Sequence, residues 1–373
     1  MCDNLHDVLG NGIFAVDGVK WMHQRKTASN LFTMRTLRDS MAHTVQDLMP
    51  AIDRILQRVV DSGEPIDLVR LLNRFTMEGF SKIGFGIDLN LLESEHEHPF
   101  MAAFDSAQRI TTLRFVRPRF VWKILRWLNV GGERELKKNI ETINNTVLGI
   151  ISQSLQRRQE STCNHPDTHS KGKDIVSLFL DDVSHNEKHE QEPFDPAFLR
   201  DIVVNFLIAG RDTTAQALSW FFYELSENPE VESRLRVELK AVLPRLFQRD
   251  AAPPSMEEVQ KLTYLEAVLK ETLRLHPSVP TNFKRANRDT VLVDGTFIAK
   301  GWSVAVSSYC LGRAEHVWGP DAKKFRPERW IDPPTNPNKL IAVSAFQFNS
   351  FHAGPRMCLG MNLAMMEMKI FVS

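Results

Sequence analysis

Cysteines are few and widely spaced in this sequence. Cys2, Cys163, Cys310 and Cys358 are the only four among 373 residues, and no two form a C-x-x-C pair. That excludes the disulfide framework of a small secreted domain and a cysteine-rich zinc site, and a reducing compartment is expected. No run approaches the eighteen or so consecutive apolar residues of a membrane span, and Met1-Cys2-Asp3-Asn4 does not open a signal peptide. Basic and acidic residues balance at 46 each, so net charge gives no reason to expect nucleic acid or an acidic polymer as partner. There is no internal repeat and no Gly/Ser-rich linker. No G-x-G-x-x-G follows a strand, so no dinucleotide site is written into the chain.

What is present is an ordinary globular composition, 43% apolar and 25% charged, long enough for a large core. Apolar residues recur at three- and four-residue spacings over 36–60, 66–84 and 132–158, as in Leu48, Ile52, Ile55 and Val59, and predict amphipathic helices. Between 158 and 195 polar flanks read as surface loops around a short apolar helix at 175–181. Asp195-Pro196 pairs an N-cap with a proline at the first helical position. The helix it opens runs to about residue 226, roughly 45 Å at 1.5 Å per residue. Its stretch IVVNFLIAG (202–210) is apolar almost all round and is expected inside. Ser255-x-x-Glu258 and Thr263-x-x-Glu266 read as capping boxes. Strand signals come late: TVLV and TFIA flank Asp294-Gly295, a two-residue hairpin turn, and WSVAVSSY follows. His96 and His98 precede Pro99 in a polar loop without further ligands, and no metal site is expected there. The reading is one mainly α domain, residues 1–373, with a minor sheet.

The stretch FHAGPRMCLG (351–360) sets Cys358 between glycines, a proline and an arginine. A lone cysteine is commonly a small buried hydrophobe, and its surroundings offer a second reading. Gly354 and Gly360 permit tight backbone and close approach to a flat ligand. The run LGMNLAMMEMKIF (359–371) has helical spacing, so the sulfur precedes a helix N-terminus, where unpaired N–H groups and the dipole favour thiolate. A thiolate is a soft metal ligand, and Arg356 can pair with a carboxylate of whatever the sulfur holds. Haem offers both an iron and propionates.

The spacing F-x-x-G-x-R-x-C-x-G of Phe351, Gly354, Arg356, Cys358 and Gly360 resembles the haem-ligand signature of the cytochrome P450 monooxygenases. Other motifs follow that family's order. Ala209-Gly210-Arg211-Asp212-Thr213-Thr214 lies in the long apolar helix. A missing side chain at Gly210 leaves room for a ligand, and an acid beside a hydroxyl can relay protons; an interior helix with one polar patch is the plainer reading. Glu271 and Arg274 share a helix face at a spacing of three. Arg329, within Phe325-Arg326-Pro327-Glu328-Arg329-Trp330, matches the residue that completes a Glu-Arg-Arg network in the family. Trp21 and Arg25 stand one turn apart, both good donors to a propionate, or a half-buried tryptophan beside a surface arginine.

The resemblance implies the P450 fold, a helical bundle with a long central helix and a small sheet, and haem bound through Cys358. Ala209, Gly210, Phe351, Gly354 and Gly360 would face the cofactor, and Trp21, Arg25 and Arg356 would hold its propionates. Asp212 and Thr213 would handle protons, while Glu271, Arg274 and Arg329 would be structural. It implies an apolar substrate, O2, and electrons from NADPH through NADPH-cytochrome P450 reductase, with Lys323, Lys324 and Arg326 as a docking patch. The phrases LGNGIFAVDGVKW, AGRDTT and FHAGPRMCLG resemble the eukaryotic branch that hydroxylates long-chain fatty acids near the terminal carbon. Set against the family, the chain looks truncated at both ends, without the membrane anchor that places full-length microsomal members on the cytoplasmic face of the endoplasmic reticulum. Two alternatives stand beside this. An O2-independent haem-thiolate isomerase or dehydratase shares the fold, although such enzymes often lack the acid-alcohol pair. An inactive truncated fragment is the other.

One segment bears on location. LRFVRPRFVWKILRWLNVG (113–131) interleaves Arg114, Arg117, Arg119, Lys123 and Arg126 with Phe115, Phe120, Trp122 and Trp127 and contains no acid. It fits a membrane surface or a surface helix with an ordinary core face. Single-stranded nucleic acid is a third partner for such a pattern, unsupported elsewhere in the chain.

Overall fold

Helices form where the spacing predicts them. The computed structural model describes residues 2–36, 41–94, 97–164, 174–185, 195–248, 251–332 and 339–373. The polar loops at 165–173 and 186–194, His96, and the side chains of Cys2 and Cys163 lie outside the described residues. Two compact units divide the chain. One comprises Met1–Ile66 and Asn73–Arg211, the other Asp67–Leu72 and Asp212–Ser373.

The first unit carries α1 (Cys2–Leu9), α2 (Gly18–Ser29), α3 (Met34–Thr36), α4 (Ala42–Ser62), most of α5 (Leu68–Phe85), α6 (Pro99–Val116), α7 (Arg119–Leu128), α8 (Gly132–Asn164), α9 (Ile175–His185) and the N-terminal half of α10 (Pro196–Glu227). Asp195 caps α10 as expected, its Oδ1 accepting from the Ala197 N–H at 2.9 Å, and Ile202, Val203, Val204 and Leu207 are fully buried. His98 caps α6, its Nδ1 accepting from the Phe100 N–H at 3.2 Å.

Arg114 departs from its expected place on a basic surface. It is 2% exposed, with its guanidinium 2.7 Å from Asp7 on α1, paired with Glu133 at the start of α8, and 4.5 Å above the Trp122 ring. The stretch around it lacks acids, and the two carboxylates that allow its burial arrive from 107 and 19 residues away. On α7 only Trp122 is buried. Phe120, Ile124 and Trp127, at spacings of four and three, are turned outward, Trp127 with 82% of its surface exposed.

The second unit carries the rest of α10, then α11 (Pro229–Val242), α12 (Met256–Val259), α13 (Thr263–Leu275), β1 (Thr281–Arg285), β2 (Thr290–Val291), β3 (Phe297–Ile298), β4 (Ser303–Ser307), α14 (Ser308–Leu311), α15 (Glu315–Trp318) and α16 (Met361–Val372). The capping box at Ser255 and Glu258 forms in both directions. The one expected at Thr263 does not, because Thr263 is already the first helical residue. The Glu238 carboxylate of α11 instead accepts from the Tyr264 and Leu265 N–H groups at 2.6 and 2.8 Å. Glu266 is thereby left to pair with Lys270 and Lys369 at 2.8 and 2.7 Å.

Strands β2 and β3 pair antiparallel through Thr290↔Ile298 and Val291↔Phe297. Their turn has three residues instead of the expected two: Leu292 N–H donates to Thr296 O at 2.9 Å, and Gly295 takes the left-handed position at φ +86°. β4 pairs with β1 from Thr281↔Ser307 to Arg285↔Ser303. The sequence TNFKR of β1 shows no alternation of apolar and polar residues that would announce it.

α13 packs against α11, α16 and a 3-10 turn at Pro327–Trp330, and the polar centre of that packing is Glu271. Glu271 and Arg274 side chains are fully buried and meet in two bonds of 2.7 and 2.8 Å. Arg329 Nε donates to the same carboxylate at 2.8 Å, Trp330 Nε1 at 2.9 Å and the Arg326 backbone N–H at 2.8 Å. Arg274 also donates to the carbonyls of Gly312, Ala322 and Lys324. The predicted Glu-Arg-Arg network is therefore assembled, with a tryptophan added.

Two stability predictions follow from these buried groups. Removing one partner of a buried ion network leaves uncompensated charge, which costs about 3–5 kcal/mol; Glu271→Ala, which strands two guanidinium groups, is expected to lose that much in urea unfolding. Glu367 on α16 is 5% exposed, and burial pushes its carboxyl from 4.5 up to about 8. Between those values the unfolded chain releases a proton that the folded chain keeps, so stability falls as pH rises, by about 1.4 kcal/mol per pH unit for one proton. Glu367→Gln lacks that loss. Its thermal midpoint should match the parent protein below pH 4.5 and pull ahead progressively up to about pH 8.

Candidate functional site

The loop before α16 is held by backbone geometry. His352 and Gly354 both occupy the left-handed region, at φ +62° and +73°. A Cβ built on Gly354 would meet nothing within 4 Å, so backbone conformation and not crowding calls for glycine there. A 3-10 turn, Gly354–Arg356, follows, and the loop closes where Cys358 N–H donates to Phe351 O at 2.8 Å. Gly360 is the N-cap of α16 at φ −87°, a conformation open to any residue. Cys358 is exposed, forms no disulfide, and stands two residues before that N-cap.

The loop is tied to the Glu271 network from behind. Ser350 Oγ donates to Leu273 O on α13 at 2.8 Å. Trp330 packs edge-on against Phe348 with ring centroids 4.8 Å apart, and Phe348 against Phe351 at 6.4 Å. A continuous series of contacts thus leads from the buried carboxylate to the carbonyl that accepts from Cys358 N–H.

This donor set suits a flat prosthetic group bearing one metal and carboxylates. A bare ion usually takes three or four protein ligands, and no cluster of three His, Cys, Asp or Glu side chains that could hold one occurs among the described residues. A single thiol with Arg356 two residues away fits a metal whose other ligands come with it. His352 adds a buried Nε2 with no hydrogen-bond partner, an unmet polar atom in the same loop. Haem fits these residues.

The remaining predicted residues fall into the two units. In the first, Trp21 and Arg25 lie on one face of α2, the guanidinium 5.7 Å from the indole centroid; both are half-buried. Ala209 and Gly210 are half-buried on α10. The space over Gly210 is filled by Phe80 of α5, whose ring would lie 2.1 Å from an added Cβ. A phenyl ring is therefore what presses on the helix at that glycine. The neighbouring Arg211, 1% exposed, pairs with Asp105 at 2.6 Å and lies over Phe104.

In the second unit, Asp212 and Thr213 are half-buried on α10, and the Thr213 carbonyl accepts from Ser278 Oγ at 2.7 Å. Phe351, Gly354, Arg356, Cys358 and Gly360 come together in the loop described above. In the basic group Lys323, Lys324 and Arg326, all exposed, Arg326 is engaged by Asp321 at 2.7 Å and Lys323 by Glu315 at 3.7 Å. One constellation was not anticipated from the sequence: His276, stacked on Trp220 with centroids 4.0 Å apart, contacts Glu224 through Nε2 at 2.6 Å. The only local signal is a histidine between a helix end and Pro277.

Comparison with known proteins bears directly on this site. The family model "Cytochrome P450" matches residues 3–373. Similar proteins include Cytochrome P450 86B1 of Arabidopsis thaliana, 39% identical over 98% of this chain. Cytochrome P450 CYP94D109 of Paris polyphylla is 38% identical over 98% of it, and Cytochrome P450 94B1 of Arabidopsis thaliana 36% over 99%. The chain spans 65%, 71% and 69% of their respective lengths. With the family model matched almost end to end, the chain belongs to the cytochrome P450 family, whose members bind haem through a cysteine thiolate.

Proposed function

We propose that this protein is a haem-thiolate monooxygenase that hydroxylates an apolar substrate, a long-chain fatty acid, with O2 and with electrons from NADPH delivered by NADPH-cytochrome P450 reductase. The observation that carries the reading is Cys358, held two residues before the N-cap of α16 in a loop braced by the Glu271 network. When bound, haem held by a cysteine thiolate would supply the chemistry of dioxygen activation. The chain's own side chains supply the rest. Cys358 Sγ holds the iron, and Arg356, Trp21 and Arg25 offer hydrogen-bond donors to the propionates. The Asp212 carboxylate and Thr213 Oγ1 receive and pass protons. Glu271, Arg274 and Arg329 take no part in the chemistry and keep the ligand loop in place.

The fatty-acid assignment rests on the resemblance of LGNGIFAVDGVKW, AGRDTT and FHAGPRMCLG to that branch. The proposed location is the cytoplasmic face of the endoplasmic reticulum membrane. Among the described residues no helix is long and apolar enough to cross a membrane. Support for a surface contact comes from α7, where Phe120, Ile124 and Trp127 face outward beside Arg119, Lys123 and Arg126. A basic, aromatic helix with its apolar face unburied suits the interface of an anionic bilayer.

Reduction under carbon monoxide tests the ligand. The parent chain is expected to give a strongly red-shifted Soret band, and Cys358→Ala to lose it while keeping the same far-ultraviolet circular dichroism. No such band in either protein would favour the inactive-fragment reading. Turnover of a lipid hydroperoxide alone, with none from NADPH, reductase, O2 and a long-chain fatty acid, would favour the isomerase.

Vesicle sedimentation tests the surface contact. Full burial of a large apolar side chain stabilises by about 1.5–3 kcal/mol, so Phe120→Ser with Trp127→Ser should weaken binding to phosphatidylserine-containing vesicles by at least about tenfold. Equal binding by parent and double variant would remove α7 from the contact.

A further inference from the structure

Asp7 on α1 holds two arginines at once. Arg126, in the last turn of α7, meets its carboxylate with both ends of the guanidinium fork, at 2.9 Å to Oδ1 and 3.2 Å to Oδ2. Arg114 of α6 donates to the same Oδ2 at 2.7 Å. The two pairs differ in setting. Arg114 is enclosed and has Glu133 as a second partner, whereas the Arg126 side chain is 54% exposed and Asp7 is its one carboxylate partner among the described residues.

Releasing Arg126 leaves Asp7 paired. A largely buried carboxylate stripped of every partner would be strongly disfavoured, but Asp7 keeps Arg114. The helix that carries it also stays fastened: Arg114 donates to Asn4 O at 3.0 Å, and Arg200 of α10 donates to the Asp7 and Val8 carbonyls at 3.2 and 2.8 Å. An exposed ion pair contributes little in water. Arg126 is therefore held in a way that another anion can replace, with the remaining ties of α1 intact.

What surrounds Arg126 selects the anion. Phe120, Ile124, Trp127 and Leu128 are exposed on the same helix, Arg119 and Lys123 are exposed among them, and residues 113–131 contain no acid. A soluble anion answers only the charge. The phosphate of a lipid comes with an acyl surface that covers the rings, and guanidinium binds phosphate with the same two-pronged geometry that it uses on Asp7.

We infer that Arg126 is a headgroup-binding residue under intramolecular competition: on an anionic bilayer its guanidinium leaves the Asp7 carboxylate for a lipid phosphate, and Asp7 stays with Arg114. The inference rests on the α7 surface contact proposed above and adds to it a named headgroup residue and a control. Docking unties α7 from α1 at this point, so α7 can seat its apolar face in the lipid while α1 remains fastened by Arg114 and Arg200. Away from a membrane, the same carboxylate masks one basic charge and lowers affinity for the bilayer.

The full chain, Arg126→Gln, Asp7→Asn and the double variant are sedimented with phosphatidylserine-containing vesicles. Arg126→Gln is expected to weaken binding about fivefold, the effect of one basic residue near an anionic surface. Asp7→Asn is expected to strengthen it about threefold, within the range of an exposed ion pair, and to lose that gain when Arg126 is already glutamine. Asparagine keeps an oxygen for Arg114, whose charge Glu133 still matches. The unaltered chain gives an independent reading by arginine-labelled NMR. Its Arg126 Nε–H resonance, identified by its loss in Arg126→Gln, should shift when soluble short-chain phosphatidylserine is added, and that of Arg114 should stay in place. A gain from Asp7→Asn that persists undiminished beside Arg126→Gln, no gain at all, or an unmoved Arg126 resonance would each overturn the exchange and leave the α7 contact to Phe120 and Trp127. Equal vesicle binding by the parent and by Phe120→Ser with Trp127→Ser would remove that contact and this inference with it.

Discussion

The carboxylate of Glu271 is the constraint on which the second unit depends. A fully buried anion is tolerated only when its charge and lone pairs are met, and here they are met by Arg274, Arg329, the Trp330 indole and a backbone N–H. Arg274 lies one turn away on α13, and the other three partners come from one segment, residues 326–330, more than fifty residues on and outside any helix or strand longer than a turn. Replacing the cluster with apolar side chains could give equal stability. It could not give the same directionality, because the hydrogen bonds together fix the position of residues 326–330 against α13.

That directionality matters because, among the described residues between Leu311 and Met361, secondary structure is limited to single turns and one isolated bridge. Arg274 reaches the carbonyls of Gly312, Ala322 and Lys324, Arg329 returns to Asp321, and Trp330 passes the constraint through Phe348 to Phe351. Irregular backbone is where a side chain can be offered to a ligand, since a helix or strand would commit its neighbours to packing. It must then be held by side chains. The buried network and the Cys358 loop are thus complementary halves of one arrangement: the charge held in the core fixes the loop that carries the proposed ligand.

Much of this was legible in the sequence, and the failures share a cause. Helix positions followed from local spacing, the start of α10 from Asp195-Pro196, and the ligand loop from ten adjacent residues. Contacts made at a distance were not legible. Nothing near Arg114 predicts its burial, because Asp7 and Glu133 come from other helices. Thr263 and Glu266 satisfy the pattern of a capping box, yet the Glu266 N–H already donates to Leu262 O, and Glu238 on α11 takes the Tyr264 and Leu265 N–H groups. Gly210 suggests room for a ligand, but a phenyl ring from α5 lies over it. In each case the local signal was read correctly, and a group remote in sequence supplied the partner. His352 is the opposite case: it sits inside the most legible motif, and its sequence position carries no sign of the left-handed backbone or the unpaired nitrogen.

The same distinction decides how α7 can present an apolar face to its surroundings. An amphipathic helix normally stays in place by burying that face, but α7 buries only Trp122. Trp122 lies under Arg114, and Asp7 reaches both Arg114 and Arg126, at 2.7 and 2.9 Å. The helix is therefore fastened on its inner side by charge and by one ring, which leaves Phe120, Ile124 and Trp127 outward. Arg126 is half exposed and its pair with Asp7 is open to screening by salt. Arg114 and Glu133 are almost fully enclosed and are not. Loss of the outer pair at high ionic strength still leaves the inner one, so the orientation of α7 does not depend on its outer face finding a lipid surface. Lipid contact would add to the fastening already present.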